Sequence, residues 1–177
     1  MIVKKSKDIA GIRYIERNIV QDKKGHKYLN YNYPTMLSGG ISDVFESIFQ
    51  KRIEQENEFH GLFYYPGQAF LFRCIRGSAR LYAVDLREAS RSYRKCVKPV
   101  LKTGSGIQAY LPAGFAWGIL STEEDTVIQI HATKGTSEVP IMIDAFDSSL
   151  KMGWQDEDII IAEYDLPLVI ADSLRKE

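Results

Sequence analysis

The side chains of this sequence best suited to proton transfer near neutral pH are His26, His60 and His131. They are far apart, with no His-x-His pair, so neither a metal site nor any other cofactor is expected. His60 stands in "EFHGLFYYPGQ" (58–68), a strand-like run ending in a turn. It can be read as an acid–base group or as a rim histidine that contacts an anion. Phe63 follows three positions later, and in a regular strand positions 60 and 63 face opposite sides. Gly61 between them could seat a bulge that re-aims one of the two. Tyr64, Tyr65, Tyr110 and Asp165 are further candidates for proton transfer, although Asp165 also reads as an exposed turn residue before Leu166-Pro167. His131 reads more simply as a core or hydrogen-bonded strand residue. Cys74 and Cys96 lack metal-ligand spacing and a neighbouring base, and two thiols make no disulfide framework. They fit a reduced, cytoplasmic protein. There is no G-x-S-x-G and no P-loop, and "GSARLY" and "TGSGIQ" read as turns.

The elements that must carry these groups are strands. "IRYIERNIV" (12–20), "HKYLNYNY" (26–33), "QAFLFRCIR" (68–76), "ARLYAVDLR" (79–87), "RKCVKPVLK" (94–102), "IQAYL" (107–111), "TVIQIHAT" (126–133) and "VPIMIDAF" (139–146) are short, β-prone and punctuated by turn residues. Gly77-Ser78 between two such runs reads as a hairpin. Helical signal is confined to "PTMLSGGISDVFESIF", with Ser42 or Asp43 as cap, and to the final "ADSLRKE". The expectation is an all-β chain with minor short helices, a jelly roll in one domain spanning 1–177, with an edge strand that invites a homodimer.

Composition sets limits on function. The chain has 177 residues, 45% of them apolar, and 23 basic residues balance 23 acidic ones. A core of useful size is affordable, and phosphate-driven binding of nucleic acid is not expected. No signal peptide and no membrane span is expected. The longest apolar stretch, "IQAYLPAGFAWGIL", is broken by Pro112 and glycines. Aromatic side chains on both faces of "GLFYYPGQAFLF" serve as core or as a pocket wall that stacks on a base or sugar.

Four segments in order carry a resemblance: "HGLFYYPGQ", "CIRGSARLYAVDLREASRSYRK", "AYLPAGFAWGIL" and "FDSSLKMGWQDEDIIIAEYDLPL", with a weaker match in "VQDKKGHKYLN". They resemble the dTDP-4-dehydrorhamnose 3,5-epimerases, metal-independent cupins. The resemblance implies a dimeric double-stranded β-helix, a pocket for a nucleoside-diphosphate 4-keto-6-deoxy sugar, and a place in deoxysugar and surface-polysaccharide synthesis. It also implies a His–Asp base, a Tyr acid and a Lys near the developing oxyanion. By position the base falls on Phe63, the Lys on Phe70, the Tyr on Ile130 (or, one residue out of register, on His131 or Gln129), and the Asp on Asp165. The phosphate-contacting Arg falls on His60, a further His on Trp117, an early Arg on Lys24 and a nearby Glu on Leu29. The resemblance therefore assigns substrate-binding positions to Lys24, His60, Phe63, Tyr64, Phe70, Trp117, Ile130 and His131, with Asp165 and His60 as catalytic candidates. Apolar side chains at the base, Lys and Tyr positions imply weak standard 3,5-epimerisation. The alternative is an epimerase-like cupin that binds a ligand or acts as a scaffold without catalysis.

Overall fold

The computed structural model describes residues 1–135, 138–154 and 158–174, with the side chains of residues 19–22 and 26 outside that description. In chain order the strands are β1 (Ile2–Lys5), β2 (Arg13–Glu16), β3 (Ile19–Asp22), β4 (Gly25–Tyr28), β5 (Ser47–Ile53), β6 (Glu58–Tyr64), β7 (Phe70–Arg76), β8 (Ser78–Asp85), β9 (Cys96–Val97), β10 (Val100–Lys102), β11 (Ile107–Leu111), β12 (Phe115–Ser121), β13 (Thr126–Ala132), β14 (Ile141–Ile143), β15 (Ile160–Ile161) and β16 (Leu168–Val169). Helix α1 (Tyr33–Ser38) lies between β4 and β5, and a 3₁₀ turn spans Ala171–Leu174.

One sheet runs β1-β2-β11-β7-β13-β5, and the other runs β10-β8-β12-β6-β14-β16, with β15 added to β6 and β9 to β8. The two face each other as a cupin-type jelly roll. Alternation along each strand decides what lies between them. Phe70, Phe72 and Cys74 of β7 and Ile128, Ile130 and Ala132 of β13 point inward, to meet Leu81, Ala83, Phe115, Trp117 and Ile119 of the facing sheet. Behind the second sheet a further core gathers Phe59, Leu62, Tyr82, Leu120 and Ile143, closed by Trp154 and Val169 from the C-terminal segment. Behind the first sheet Ile15, Leu71 and Tyr110 are covered by Met36 of α1 and by Ile41.

The structure changes the expected sheet connection, helix start and several strand boundaries. The runs around Gly77-Ser78 do not form a hairpin: β7 belongs to one sheet and β8 to the other. Gly77 is the crossing point. Its φ is +73°, and a Cβ there would lie 2.5 Å from Thr126 Oγ1, so only glycine passes. The helical turn starts earlier than expected, because Asn32 caps it by accepting a hydrogen bond from Thr35 N at 3.0 Å. The run 12–20 is not one strand but two, β2 and β3; the run 94–102 likewise divides into β9 and β10, and that of 26–33 is strand only as far as Tyr28. Of the C-terminal helical signal, residues 175–177 lie outside the described residues. No helix among the described residues is long and apolar enough to cross a membrane.

Candidate functional site at the mouth of the barrel

The site is built on an irregular strand. Along the β6–β12 ladder Phe63 pairs with Trp117 and His60 with Ile119, so three steps on β6 match two on β12. The extra residue falls at Gly61-Leu62, where Gly61 has φ +143° and the peptide is cis. A Cβ on Gly61 would come within 2.6 Å of Gly118 Cα. The bulge resets the inside–outside alternation. Phe59, Leu62 and Tyr64 face the core behind the sheet. Phe63 faces the barrel interior, and both Phe63 and His60 reach the ring of Tyr164.

The interior behind Phe63 is filled with rings. Trp117 lies 4.9 Å from Phe63, 5.4 Å from Phe70 and 5.0 Å from Phe72 between ring centres. Tyr65 packs on Phe70 at 5.3 Å and stacks on Trp117 at 6.2 Å. Ile130, fully buried, completes this wall. The fold thus brings Phe63, Phe70, Trp117 and Ile130 together in one cluster. The Trp117 Nε1–H is buried without an acceptor, which costs about 1–3 kcal/mol. Beside the rings a cavity of about 380 Å³ opens between the sheets, lined by Phe49, Tyr65, Gln68, Phe70, Ala132 and Gly135.

A polar cluster sits at the edge of this apolar interior. On β5 the alternation places Phe49, Lys51 and Ile53 on the inner side. Lys51 Nζ donates to Tyr164 Oη at 2.8 Å and also lies over its ring. Tyr164 Oη is 2.5 Å from His60 Nδ1. His60 Nε2 is 2.9 Å from Glu58 Oε1, an ion-pair distance without hydrogen-bond alignment. With the imidazole proton on Nε2, the donors run in one direction, from Lys51 to Tyr164 to His60. Tyr164 is delivered by β15, which pairs with β6 at Ile160–Glu58 and Ile161–Phe59. Burial governs the electrostatics. It lowers the pKa of His60 to about 4, helped by the charge of Lys51 and opposed by Glu58. It lowers that of Lys51, again opposed by Glu58, and it raises that of Tyr164 to about 12 with the help of the Glu58 charge.

The other expected positions lie elsewhere. Asp165 is exposed, and its neighbour Tyr164 holds the inward place. His131 faces away from the interior: its ring meets Phe45 at 5.8 Å and its Nε2 lies 3.0 Å from Gln129 Nε2. Burial, followed by the charge of Arg73, lowers its pKa. Tyr64 packs behind its sheet, and Tyr110 on the far side of the other sheet hydrogen-bonds Asp43. Lys24 is exposed beside Gly25 in the β3–β4 turn, and Leu29 is exposed as well. The side chain of His26 lies outside the described residues. Lys51, Glu58 and Tyr164 were not singled out from the sequence. The available signal was the period-2 run "SIFQKRI", in which a lysine shares a face with Phe49 and Ile53.

The segment "VDLREASRS" holds a buried ion pair. Asp85, fully buried, accepts from Arg87 Nε at 2.7 Å and Arg87 Nη2 at 2.8 Å, and from the hydroxyls of Ser90 and Ser92 at 2.6 Å each. Arg87 also donates to Ala10 O at 2.6 Å and lies over the Phe115 ring. Burial alone would raise the Asp85 pKa, but these donors outweigh it and hold the carboxyl below its ordinary value. The two cysteines are free; burial raises both pKa values, that of Cys96 to about 12. Among the described residues no group of three or more His, Cys, Asp or Glu side chains is gathered to hold a metal ion.

Two facing sheets, a bulged inner strand and a mouth bordered by Tyr164 of the C-terminal segment define a jelly-roll protein of the cupin type. Residues 6–171 match the family model of dTDP-4-dehydrorhamnose 3,5-epimerase, and the chain belongs to that family. The dTDP-4-dehydrorhamnose 3,5-epimerase of Sinorhizobium fredii is 42% identical over 66 residues, which cover 37% of this chain and only 34% of that relative. The enzyme of the same name from Methanothermobacter thermautotrophicus is 27% identical over 175 residues, 94% of this chain and 84% of its own. The crystal structure of the Elizabethkingia anophelis NUHP1 enzyme superposes with a TM-score of 0.85 at 26% identity, covering 98% of this chain and 97% of that one.

Proposed function

We propose that the mouth of the barrel binds a nucleoside-diphosphate keto sugar of deoxysugar metabolism, and that epimerisation at two carbons is slow in this protein. The family and its named substrate, a dTDP-linked 4-keto sugar, support the ligand class. The packing of Phe63 against Trp117 and Tyr164 carries the second half. Where a two-carbon epimerase needs a base and an oxyanion donor, Phe63 and Phe70 offer neither, and each such loss costs about 10²-fold or more. Exposed apolar side chains near strand edges, Ile48 on β5 and Leu168 on β16, support a homodimer. The free thiols fit a cytoplasmic location.

The test is deuterium incorporation from D₂O into dTDP-4-dehydrorhamnose, followed by NMR, beside a thermal-shift measurement with the same ligand. Stabilisation by the ligand without rapid exchange at both C3 and C5 is expected. Exchange at both carbons at the rate of an active family member would sink this reading. The filled interior also favours a second reading, a ligand-binding or scaffold protein, which predicts binding and no exchange at either carbon.

A further inference from the structure

We propose, on the reading that a nucleotide-linked keto sugar enters this mouth, that Lys51 is a catalytic residue whose Nζ removes a proton from one carbon beside the ketone. Lys51 is on the inner face of β5, two residues from Phe49, which lines the 380 Å³ cavity. Its amine sits in the cluster of Tyr164, His60 and Glu58, on the strand face that also carries a residue of the cavity wall. The family resemblance assigns no role to Lys51, Glu58 or Tyr164.

The step balances within the site. The Nζ lone pair takes the proton, the C–H pair becomes the C=C bond of an enolate, and the carbonyl π pair moves onto oxygen. The donor spaced for that oxygen is the Tyr164 hydroxyl, 2.8 Å from Nζ. In the resting site its proton is directed at His60 Nδ1, 2.5 Å away. Reversal returns a proton, or a deuteron from solvent, to the same carbon.

Two features favour a transferable proton on Lys51. Its surroundings are largely apolar: Ile128 and Ile130 of the paired strand β13 are fully buried. Its hydrogen-bond partner is a neutral phenol. Glu58, the acid whose charge acts on it, opposes them. Burial lowers the Lys51 pKa, so the free amine is reached below the pH at which an exposed lysine deprotonates.

The experiment is C–H exchange of dTDP-4-dehydrorhamnose in D₂O by NMR, with binding of the same ligand measured by titration calorimetry. Wild-type protein is expected to exchange hydrogen at a ring carbon beside the ketone, at a rate that rises with pH to a limb below the ordinary lysine value of about 10.4. Lys51→Arg keeps a cation but holds its proton at any working pH. It is expected to slow exchange by about 10²-fold or more and abolish the limb while binding of the ligand remains measurable. Lys51→Met gives the same loss, so a folding defect in either variant, visible as a lowered melting temperature, does not decide the result. Tyr164→Phe slows exchange while the limb persists. Wild-type exchange in Lys51→Arg overturns the assignment. So does tight binding to wild type with no exchange, which leaves the binding reading standing. Absence of binding overturns the binding reading and this assignment with it.

Discussion

Two carboxylates in this molecule, one buried and one half-buried, live under opposite conditions. Asp85 has two nitrogens of Arg87 and two serine hydroxyls within 2.8 Å, and its charge is matched on every side. Glu58 sits 2.9 Å from a histidine that burial keeps neutral, in a cluster that also holds a desolvated lysine and phenol. The first arrangement is what a carboxylate needs in order to be inert, because no partner has an unmet preference. The second stores unmet preferences, and sites that move protons are assembled from such groups.

The contrast can be broken most directly at Asp85. Asp85→Ala strands Arg87 and two hydroxyls and is expected to cost about 3–5 kcal/mol, read as a shift in urea midpoint. Glu58→Gln is expected to cost under about 1 kcal/mol, and equal losses would erase the distinction. Next in size is an acid effect from His60. Its folded pKa of about 4 lies below the ordinary value of 6.5, so the unfolded chain takes up the proton first as pH falls. Stability is full above about pH 6.5 and declines toward pH 4, by up to about 3 kcal/mol. Asp85, whose pKa is lowered from 3.8, contributes its stability throughout that window and loses it only as pH falls further. His60→Gln should flatten the melting temperature between pH 6.5 and 4; an unchanged slope would remove His60 from the account. Smallest is Trp117→Phe. It loses buried area but also deletes an unpaired N–H, and a net change within about 1 kcal/mol is expected, against about 3–5 for Trp117→Ala. A large loss for Trp117→Phe would mean that the indole nitrogen is better satisfied than its surroundings indicate.

The fold was legible in the sequence because alternation and turn residues are local signals. "IQAYL" and "TVIQIHAT" read as strands and are strands. The crossing at Gly77 was not legible as such, because a glycine between two β-prone runs looks alike whether the chain reverses within one sheet or arches to the other. Within the site, Phe63, Phe70, Trp117 and Ile130 could be placed together by resemblance, and the barrel does gather them. Lys51 and Tyr164 could not, since they stand 113 positions apart in the chain. Asp165 drew attention over Tyr164 because which of two neighbours turns inward in an irregular segment is settled by packing on Phe63 and His60, not by spacing.

The bulge at Gly61 separates β6 into two lengths with independent parity. Residues before it and residues after it choose their faces by different counts. A substitution pattern that fills the deeper half with rings therefore leaves the outer half free to collect charged and titratable groups. Removal of one residue at the bulge would force a single parity on the whole strand, and either the rings or the polar mouth would be turned inside out.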